Sequence, residues 1–340
     1  MKVSRVLTTI DTHTAGGPTR ILTGGFPPLP GGTVREKMDY FREHHDELRK
    51  LLMHEPRGHR DMSGAVLTEA TRPDADLGVF FLTSGGYLPA CVHSSIGVAV
   101  AGLQTGFMAP AVRPDGTVRL EVPAGVVILT PEYEAGVVRS VALRTPPAFV
   151  HSPAVEVEFE EGHPVRGAVV FSGVFFLVVE VGDLPGDPVG EAPRIAPDNA
   201  RNLKEAGVRL LEAANRTLRV EHPHDPSADS IPLVMICQEE GERQGRDIVV
   251  GPTGSIDRSP CGAGTGARLV QLFADGRLGL GEDYRNESFL GTSFVGRVVE
   301  PARVGPYSGA IPEIRGSAFI TGMHRFFLDA NDTLPEGFIF

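Results

Sequence analysis

Two segments of the same design lie half a chain length apart in this sequence of 340 residues. In each, a proline shortly before a cysteine leads into a run of small and apolar residues. The first segment is Pro89–Ser94, followed by Ile96–Leu103, and the second is Pro260–Thr265, followed by Ala267–Phe273. A helix that is small or apolar almost all round is buried. The repeat therefore predicts two lobes of similar design, each built around one central helix, whose helix N-termini meet at the cleft between the lobes.

The rest of the chain favours strands joined by frequent turns, because it contains 41 glycines and 28 prolines. Helical periodicity also appears at Glu36–Leu52 and at Asp198–Leu218, where Asp198 is the predicted N-cap. Many strands with few helices indicate an α+β fold rather than regular βαβ alternation. The strand-like runs are Arg5–Thr9, Gly64–Leu67, Leu77–Leu82, Val118–Val122, Val126–Leu129, Val138–Leu143, Val174–Val181, Leu233–Ile236 and Asp247–Val250.

The composition is that of a globular protein, with 41% hydrophobic and 22% charged residues. A formal net charge of -11 disfavours nucleic acid and anionic membranes as partners, since both require a basic face. The most apolar region, Val169–Val181, is shorter than the ~18 residues that a membrane helix needs. The N-terminus lacks the apolar region of a signal peptide. We therefore expect a cytoplasmic protein; whether it forms a homodimer is left open.

The chain has three cysteines, an odd number that does not suggest a disulfide framework. Cys237 lies inside an apolar run and is interpreted as a buried structural thiol. Cys91 and Cys261 each lie where a loop turns into a helix. There, unpaired backbone N–H groups and the helix dipole lower the pKa of a thiol, and the same N–H groups can hold a carboxylate.

Inversion of an amino-acid α-carbon needs this combination of groups. A base removes the α-proton from one face, an acid supplies a proton to the other, and donors stabilise the charge that develops on the carboxylate. Cys91 and Cys261 are therefore the candidate acid–base pair. A switching disulfide in a redox or binding protein is the alternative from another class, but it does not account for His93, Asp257 and the glycine-rich segment.

Six segments, in order along the chain, resemble the motifs of the proline racemase family. The match is closest at Asp257–Thr265, which resembles the second active-site motif of that family. The other five are Asp11–Arg20, Glu55–Ala65, Tyr87–Ser94 and, near the end, Glu287–Phe294 and Leu334–Phe338. The resemblance runs from about residue 8 to the C-terminus. Three positions depart from the usual motifs: Ala90 replaces methionine, Val92 replaces glycine, and Ala263 stands where threonine is common.

The resemblance implies the diaminopimelate-epimerase-like fold, in which two similar lobes each wrap a mostly antiparallel sheet around a central helix. We expect the first lobe to comprise residues 1–150 with 318–340, and the second to comprise 151–317. By position, Cys91 and Cys261 become the two proton-transfer residues. The resemblance also implies that the substrate amine and carboxylate are contacted by His93, Asp257 and the backbone amides of Val92, Gly262 and Ala263.

Within the family three activities compete: proline racemase, hydroxyproline 2-epimerase and trans-3-hydroxyproline dehydratase. The resemblance disfavours the dehydratase, because those enzymes characteristically carry threonine in place of Cys261. Family proline racemases tend to have an aromatic residue at the position of Ser63, whereas a serine can bond a ring hydroxyl. Asp229 or Ser230 could supply a second polar contact. We therefore favour epimerisation of 4-hydroxyproline over racemisation of proline.

No cofactor and no metal are expected. The histidines and aspartate of His54–Asp61, and the pair His222 and His224, lack the spacing of a metal site, so a solvated loop is the better interpretation. The sequence contains no glycine-rich nucleotide loop and no evident pyridoxal-binding lysine. The expected partner is a small amino-acid substrate.

Overall fold

The computed structural model describes residues 3–108, 113–160, 163–185 and 193–339. The chain divides into two compact units, the first formed by 1–143 with 316–340 and the second by 144–315. Cys91 belongs to the first unit and Cys261 to the second. Each unit has apolar cores of its own.

The first unit begins with an antiparallel hairpin whose second strand pairs in parallel with β3. The order then continues antiparallel from β3 to β4, parallel from β4 to β6, and antiparallel to β7 and β8, with short β5 beside β4. Its elements before the junction are β1 (Val3–Thr14), β2 (Gly17–Gly24), α1 (Val34–His44), α2 (Asp46–Met53), β3 (Ser63–Thr68), β4 (Leu77–Thr83), β5 (Tyr87–Leu88), α3 (Val92–Thr105), β6 (Val118–Val122), β7 (Gly125–Glu134) and β8 (Val137–Arg144).

The second unit forms a sheet that closes on itself, because its last strand pairs with its first at Gly309↔Phe149 and Ala310↔Ala148. Two short 3-10 helices, Val181–Asp183 and Pro197–Asn199, precede its first α-helix. The elements are β9 (Ala148–Glu160), β10 (His163–Ser172), β11 (Val174–Glu180), α4 (Ala200–Thr217), β12 (Leu233–Gly241), β13 (Gln244–Val250), α5 (Gly262–Ala274), β14 (Tyr284–Ser288), β15 (Ser293–Val304) and β16 (Tyr307–Gly316).

The two units repeat one strand order. Each unit contains two parallel strand pairs, and helices lie in the connections between their strands. The pairs are β2–β3 and β4–β6 in the first unit, and β11–β12 and β13–β14 in the second. The other strand pairs described here are antiparallel. The position that β9 fills next to β10 is filled next to β1 by β17 (Ala318–Asp329), the last strand of the chain. The first unit is therefore completed by the C-terminus.

Helices α3 and α5 occupy the same place in this repeat, because each lies in the chain segment that connects the two strands of the second parallel pair. Residues Val92–Gly102 of α3 are mostly buried, and the apolar ones pack with strand residues such as Ala65, Phe81 and Leu120. In the second unit, Cys261 and Ala267 pack with Val170, Met235 and Val249 among others. The predicted α+β fold, with similar lobes around central helices, is confirmed.

Two helix predictions need correction. The periodic segment Glu36–Leu52 forms two helices, since His45 leaves the helical conformation with φ −142° and both ends α1 and begins α2. The apolar face continues from α1 into α2, so the periodicity of the apolar residues does not show the break at His45. Asp198 is not the N-cap of α4: it lies in the 3-10 turn, its carboxylate pairs with Arg194 at 2.5 Å, and the cap residue is Asn199. Within the described ranges, no helix combines the length and apolarity needed to cross a membrane.

Candidate active site

Cys91 is the N-cap residue of α3, in extended conformation with φ −153° and ψ 116°. Its carbonyl oxygen accepts from the Ser95 N–H at 3.0 Å and the Ser95 hydroxyl at 2.7 Å, which fixes the first turn. Its Sγ lies 3.5 Å from Nδ1 of His93 and 3.3 Å from Oγ of Ser94. The thiol is partly exposed, whereas His93 is buried against it.

These neighbours decide the protonation of the first cysteine. Burial raises the pKa of the Cys91 thiol, but the charge of His93 and hydrogen bonds from His93 and Ser94 lower it by more, so the pKa lies below its ordinary value. The Cys91 thiol therefore loses its proton more readily than an ordinary cysteine does.

The N-terminal hairpin holds the start of α3. The Thr14 hydroxyl donates to the His93 carbonyl at 2.8 Å, and Thr19 Oγ1 bonds Ser94 Oγ at 3.1 Å. The helix can lie this close because residue 97 is glycine: a Cβ there would meet Thr12 Oγ1 at 2.6 Å. The segment Asp11–Arg20 thus supports Cys91 from behind.

Cys261 is the N-cap residue of α5 and is 7% exposed. Its Sγ accepts from the Gly264 N–H at 3.3 Å, and its own N–H donates to Ser259 Oγ at 3.2 Å. Ser259 in turn donates from its N–H and its hydroxyl to Asp257 Oδ1, at 2.9 and 2.8 Å. Cys261 has φ +46°, a backbone conformation that is rare for a residue with a side chain and common at functional sites.

The pKa of the second cysteine is shifted in the opposite direction. Burial raises the pKa of Cys261 well above its ordinary value, the negative charge of Asp257 raises it further, and the N–H of Gly264 offsets only part of this. Cys261 is therefore held as a thiol, the form that can give a proton. Environments that push two pKa values apart assign one group as base and the other as acid.

Backbone donors accompany each thiol. Val92 is the first residue of α3, and Gly262 and Ala263 are the first two of α5. The N–H groups of a first helical turn precede the first i→i−4 bond and lie at the positive end of the dipole. Each helix start can therefore hold a carboxylate oxygen next to its cysteine.

Ser63 is the first residue of β3 and pairs with Thr83 of β4. Side chains of a strand alternate between its two faces, so Ser63 shares a face with Ala65 and Leu67. Those two residues pack in the core that includes Cys91 and Val92. Ser63 thus lies on the α3 side of the sheet.

Asp229 has different neighbours. It lines a cavity of about 560 Å³ in the second unit together with His151, Arg219 and Tyr307. None of these three is among the hydrogen-bond partners of Cys261 described above. Asp229, which is predicted from the sequence to contact the substrate ring, therefore lies in the wall of this cavity.

Sequence reasoning missed the residues that hold the cysteines. Ser94 bonds the Cys91 sulfur and Ser259 bonds the Cys261 backbone, and both stand inside the motifs Tyr87–Ser94 and Asp257–Thr265. The signal was present in the spacing, since a hydroxyl stands three residues after the first cysteine and two before the second. Among the described residues, no group of three or more histidine, cysteine or acidic side chains is placed to hold a metal ion.

The fold, with a cysteine at the start of each central helix, defines an amino-acid racemase or epimerase of the diaminopimelate-epimerase-like class. The chain belongs to the proline racemase family, whose sequence model matches residues 9–339. It is 39% identical to a proline racemase of Clostridioides difficile, over 100% of this chain and 99% of that relative. It is 38% identical to a 4-hydroxyproline 2-epimerase of Streptosporangium roseum, over 100% of both chains.

A solved structure supports the same assignment. The hydroxyproline epimerase of Agrobacterium vitis, determined with bound trans-4-hydroxy-L-proline, superimposes with a TM-score of 0.87 at 31% identity, covering 100% of this chain and 97% of that one. The chain is therefore an isomerase that acts as an amino-acid racemase or epimerase.

Proposed function

We propose that this chain epimerises 4-hydroxyproline, converting trans-4-hydroxy-L-proline to cis-4-hydroxy-D-proline, with Cys91 and Cys261 as the two acid–base groups and no cofactor. The observation that carries the proposal is the contrast between the two cysteines. Each begins a buried helix, but His93 favours the thiolate of Cys91, whereas burial and Asp257 favour the thiol of Cys261.

In the proposed mechanism the Cys91 thiolate takes the α-proton, and the electron pair of that C–H bond moves onto the substrate carboxylate. The amides of Val92, Gly262 and Ala263 stabilise this charge. The Cys261 thiol then gives its proton to the opposite face of the α-carbon, which leaves Cys91 as thiol and Cys261 as thiolate. In the reverse reaction the roles exchange, so each cysteine serves one face.

Two flanking residues complete the proposed site. Nδ1 of His93 lies 3.5 Å from the Cys91 sulfur, and the charge of His93 lowers the pKa of that thiol, which makes the thiolate easier to form. Asp257 accepts both Ser259 bonds on Oδ1, and we propose that its other carboxylate oxygen bonds the substrate amine. These assignments let the protein bind both ends of an amino acid next to the two thiols.

Ser63 supports the hydroxylated ring as substrate. Its position on the α3 side of β3 suits a contact with a ring substituent, and its hydroxyl can bond the 4-hydroxyl group. The second candidate is racemisation of proline, which is favoured by the 39% identity to a proline racemase. A trans-3-hydroxyproline dehydratase is the weakest of the three candidates. Elimination needs an acid–base group on only one face of the α-carbon, so it leaves Cys261 without a role.

A chiral-chromatography assay on purified protein with reductant tests the proposal. The substrates are trans-4-hydroxy-L-proline, L-proline and trans-3-hydroxy-L-proline, and the protein lacking both thiols is the control. We expect the D-epimer of the 4-hydroxy substrate to form with the highest kcat/KM. A higher kcat/KM on L-proline would assign a proline racemase, and loss of water from the 3-hydroxy substrate would assign a dehydratase.

A further inference from the structure

Behind Cys261 the second unit contains a buried polar network that the mechanism above does not use. Asn286, on β14, is 1% exposed, and its Nδ2 lies 2.8 Å from Asp247 Oδ2, 2.9 Å from Thr265 Oγ1 and 3.2 Å from the Pro260 carbonyl oxygen. Asp247 and Thr265 are equally buried. Because buried polar groups are costly unless bonded, such a network holds its members in one arrangement.

The network acts on the peptide bond that leads into Cys261. The carbonyl of that bond belongs to Pro260, and it accepts from Thr265 Oγ1 at 2.9 Å as well as from Asn286. Cys261 itself has φ +46°. A side-chain-bearing residue keeps such a conformation only where its surroundings impose it, and here the two donors to Pro260 fix the orientation of the peptide.

Asp247 orients the asparagine. Burial raises the pKa of Asp247 well above its ordinary range; Asn286 lowers it by hydrogen bonding, Asp257 raises it and Arg268 lowers it by their charges. A neutral carboxyl group suits this place, since Oδ1 of Asp247 has no hydrogen-bond partner among the described residues. One N–H of Asn286 donates to Oδ2, and this bond sets the amide so that its other N–H points at the Pro260 carbonyl and the Thr265 hydroxyl.

We propose that Asn286 is a positioning residue for Cys261, held by Asp247, and that it sets where the thiol stands at the start of α5. Its effect on turnover rests on the proposed function, whereas its effect on the thiol does not. Without Asn286, the Pro260 carbonyl loses one donor and the Thr265 hydroxyl loses its amide partner. The segment then opens more readily, which exposes Cys261 and removes it from its working position.

Alkylation of the three cysteines by iodoacetamide, followed by peptide mass spectrometry, tests this without substrate. In Asn286→Ala we expect Cys261 to react about tenfold faster, the change that corresponds to one lost hydrogen bond. Cys91 should react as before, and buried Cys237 reports any general loosening of the second unit. Asn215→Ala is the control for loss of an asparagine bond to a loop carbonyl elsewhere in the unit: Asn215, on α4, donates to the Ile231 carbonyl at 2.7 Å and lies outside the network.

Turnover provides the second readout. In Asn286→Ala, kcat should fall by about ten- to a hundredfold while KM changes little, because the proton donor is misplaced and the carboxylate donors remain. Thr265→Val removes the hydroxyl that is the other donor to the Pro260 carbonyl, and it keeps the side-chain shape nearly constant. This variant should act in the same direction as Asn286→Ala and replaces it in the test if Asn286→Ala does not fold. Asp247→Asn keeps an oxygen acceptor for Asn286 and should retain more activity than Asp247→Ala.

The outcomes separate this inference from the proposed function. A Cys261 alkylation rate unchanged in folded Asn286→Ala and Thr265→Val would overturn the positioning role. So would a rise that Cys237 shares, since this would show general destabilisation. If the wild-type protein inverts neither hydroxyproline nor proline, the proposed function fails, and the alkylation rates still decide the role of Asn286.

Discussion

The His93 imidazole lies 3.5 Å from the Cys91 sulfur, and its charge lowers the pKa of that thiol. The motif that carries both residues therefore contains a thiol together with the group that makes it more acidic. The corresponding place in the second unit has a carboxylate, Asp257, which raises the pKa of Cys261. One fold repeated twice thus holds two thiols whose pKa values are shifted in opposite directions.

Alkylation should follow this order. At pH 7, Cys91 should react with iodoacetamide faster than Cys261, because only a thiolate is nucleophilic and a lower pKa leaves more of it. His93→Asn removes the charge and should move the pH profile of Cys91 to higher pH. Rates measured from pH 5 to 10 by peptide mass spectrometry check this, with Cys261 as the internal control. An unmoved Cys91 profile would contradict the role given to His93.

Both cysteines should be needed for inversion. Cys91→Ser and Cys261→Ser should each lower epimerisation by about 10²- to 10⁴-fold with the fold retained, since a serine hydroxyl is a far weaker acid and base than a thiol. Chiral chromatography of product and circular dichroism of the fold give the two measurements. Cys237→Ser is the matched control and should keep its activity. Near-normal inversion by Cys261→Ser would rule out the two-base mechanism.

Ser63 should influence substrate choice by a modest amount. A hydrogen bond to a neutral hydroxyl contributes ~0.5–1.5 kcal/mol, which corresponds to about two- to twelvefold in a ratio of kcat/KM values. Ser63→Phe should shift the ratio of 4-hydroxyproline to proline toward proline, and Ser63→Ala should do so less strongly. Kinetics on both substrates measure the shift. A ratio that neither variant changes would pass the role to other polar residues, among them Asp229 and Ser230.

The close approach of α3 to β1 should be sensitive to one methyl group. Gly97→Ala places a Cβ 2.6 Å from the buried Thr12 hydroxyl and should lower the free energy of unfolding by about 1–3 kcal/mol. Urea denaturation measures the change. Gln104→Ala, at an exposed position of the same helix, should stay within about 0.5 kcal/mol of wild type. Equal free energies of unfolding for the two variants would show that α3 can shift away from β1 and that the close approach does not require glycine at position 97.

The sequence predicted those parts of the molecule whose cause is local. Alternating and apolar runs such as Leu77–Leu82 and Asp247–Val250 lie within strands, because their side chains fill the core. Small residues around Cys91 and Cys261 marked the two buried helices. The break at His45 escaped prediction, since one non-helical residue does not disturb an apolar stripe that continues on both sides.

Distant parts of the chain hold the segments that carry the cysteines. Asn286 bonds the Pro260 carbonyl across 26 residues, and Thr14 bonds the His93 carbonyl across 79. No local pattern of hydrophobic or turn residues specifies such pairs, because they arise only when β14 or β1 is placed beside a helix start. The repeat and the family resemblance pointed to the thiols, and the neighbours that shift their pKa values lie mostly within four residues, whereas these supporting contacts depend on the tertiary fold.

The last strand, β17, pairs with β1 along Val3↔Asp329 to Thr14↔Ala318. During synthesis, the first 143 residues therefore leave the ribosome as a unit that lacks one of its strands. The second unit has all of its strands in one continuous stretch and can fold first, while the outer edge of β1 waits for the end of the chain. Termination between Gly316 and Ala318 would thus leave the Cys91 half incomplete and the Cys261 half with all of its strands, so nonsense and frameshift mutations beyond that point would act first on the unit at the opposite end of the polypeptide.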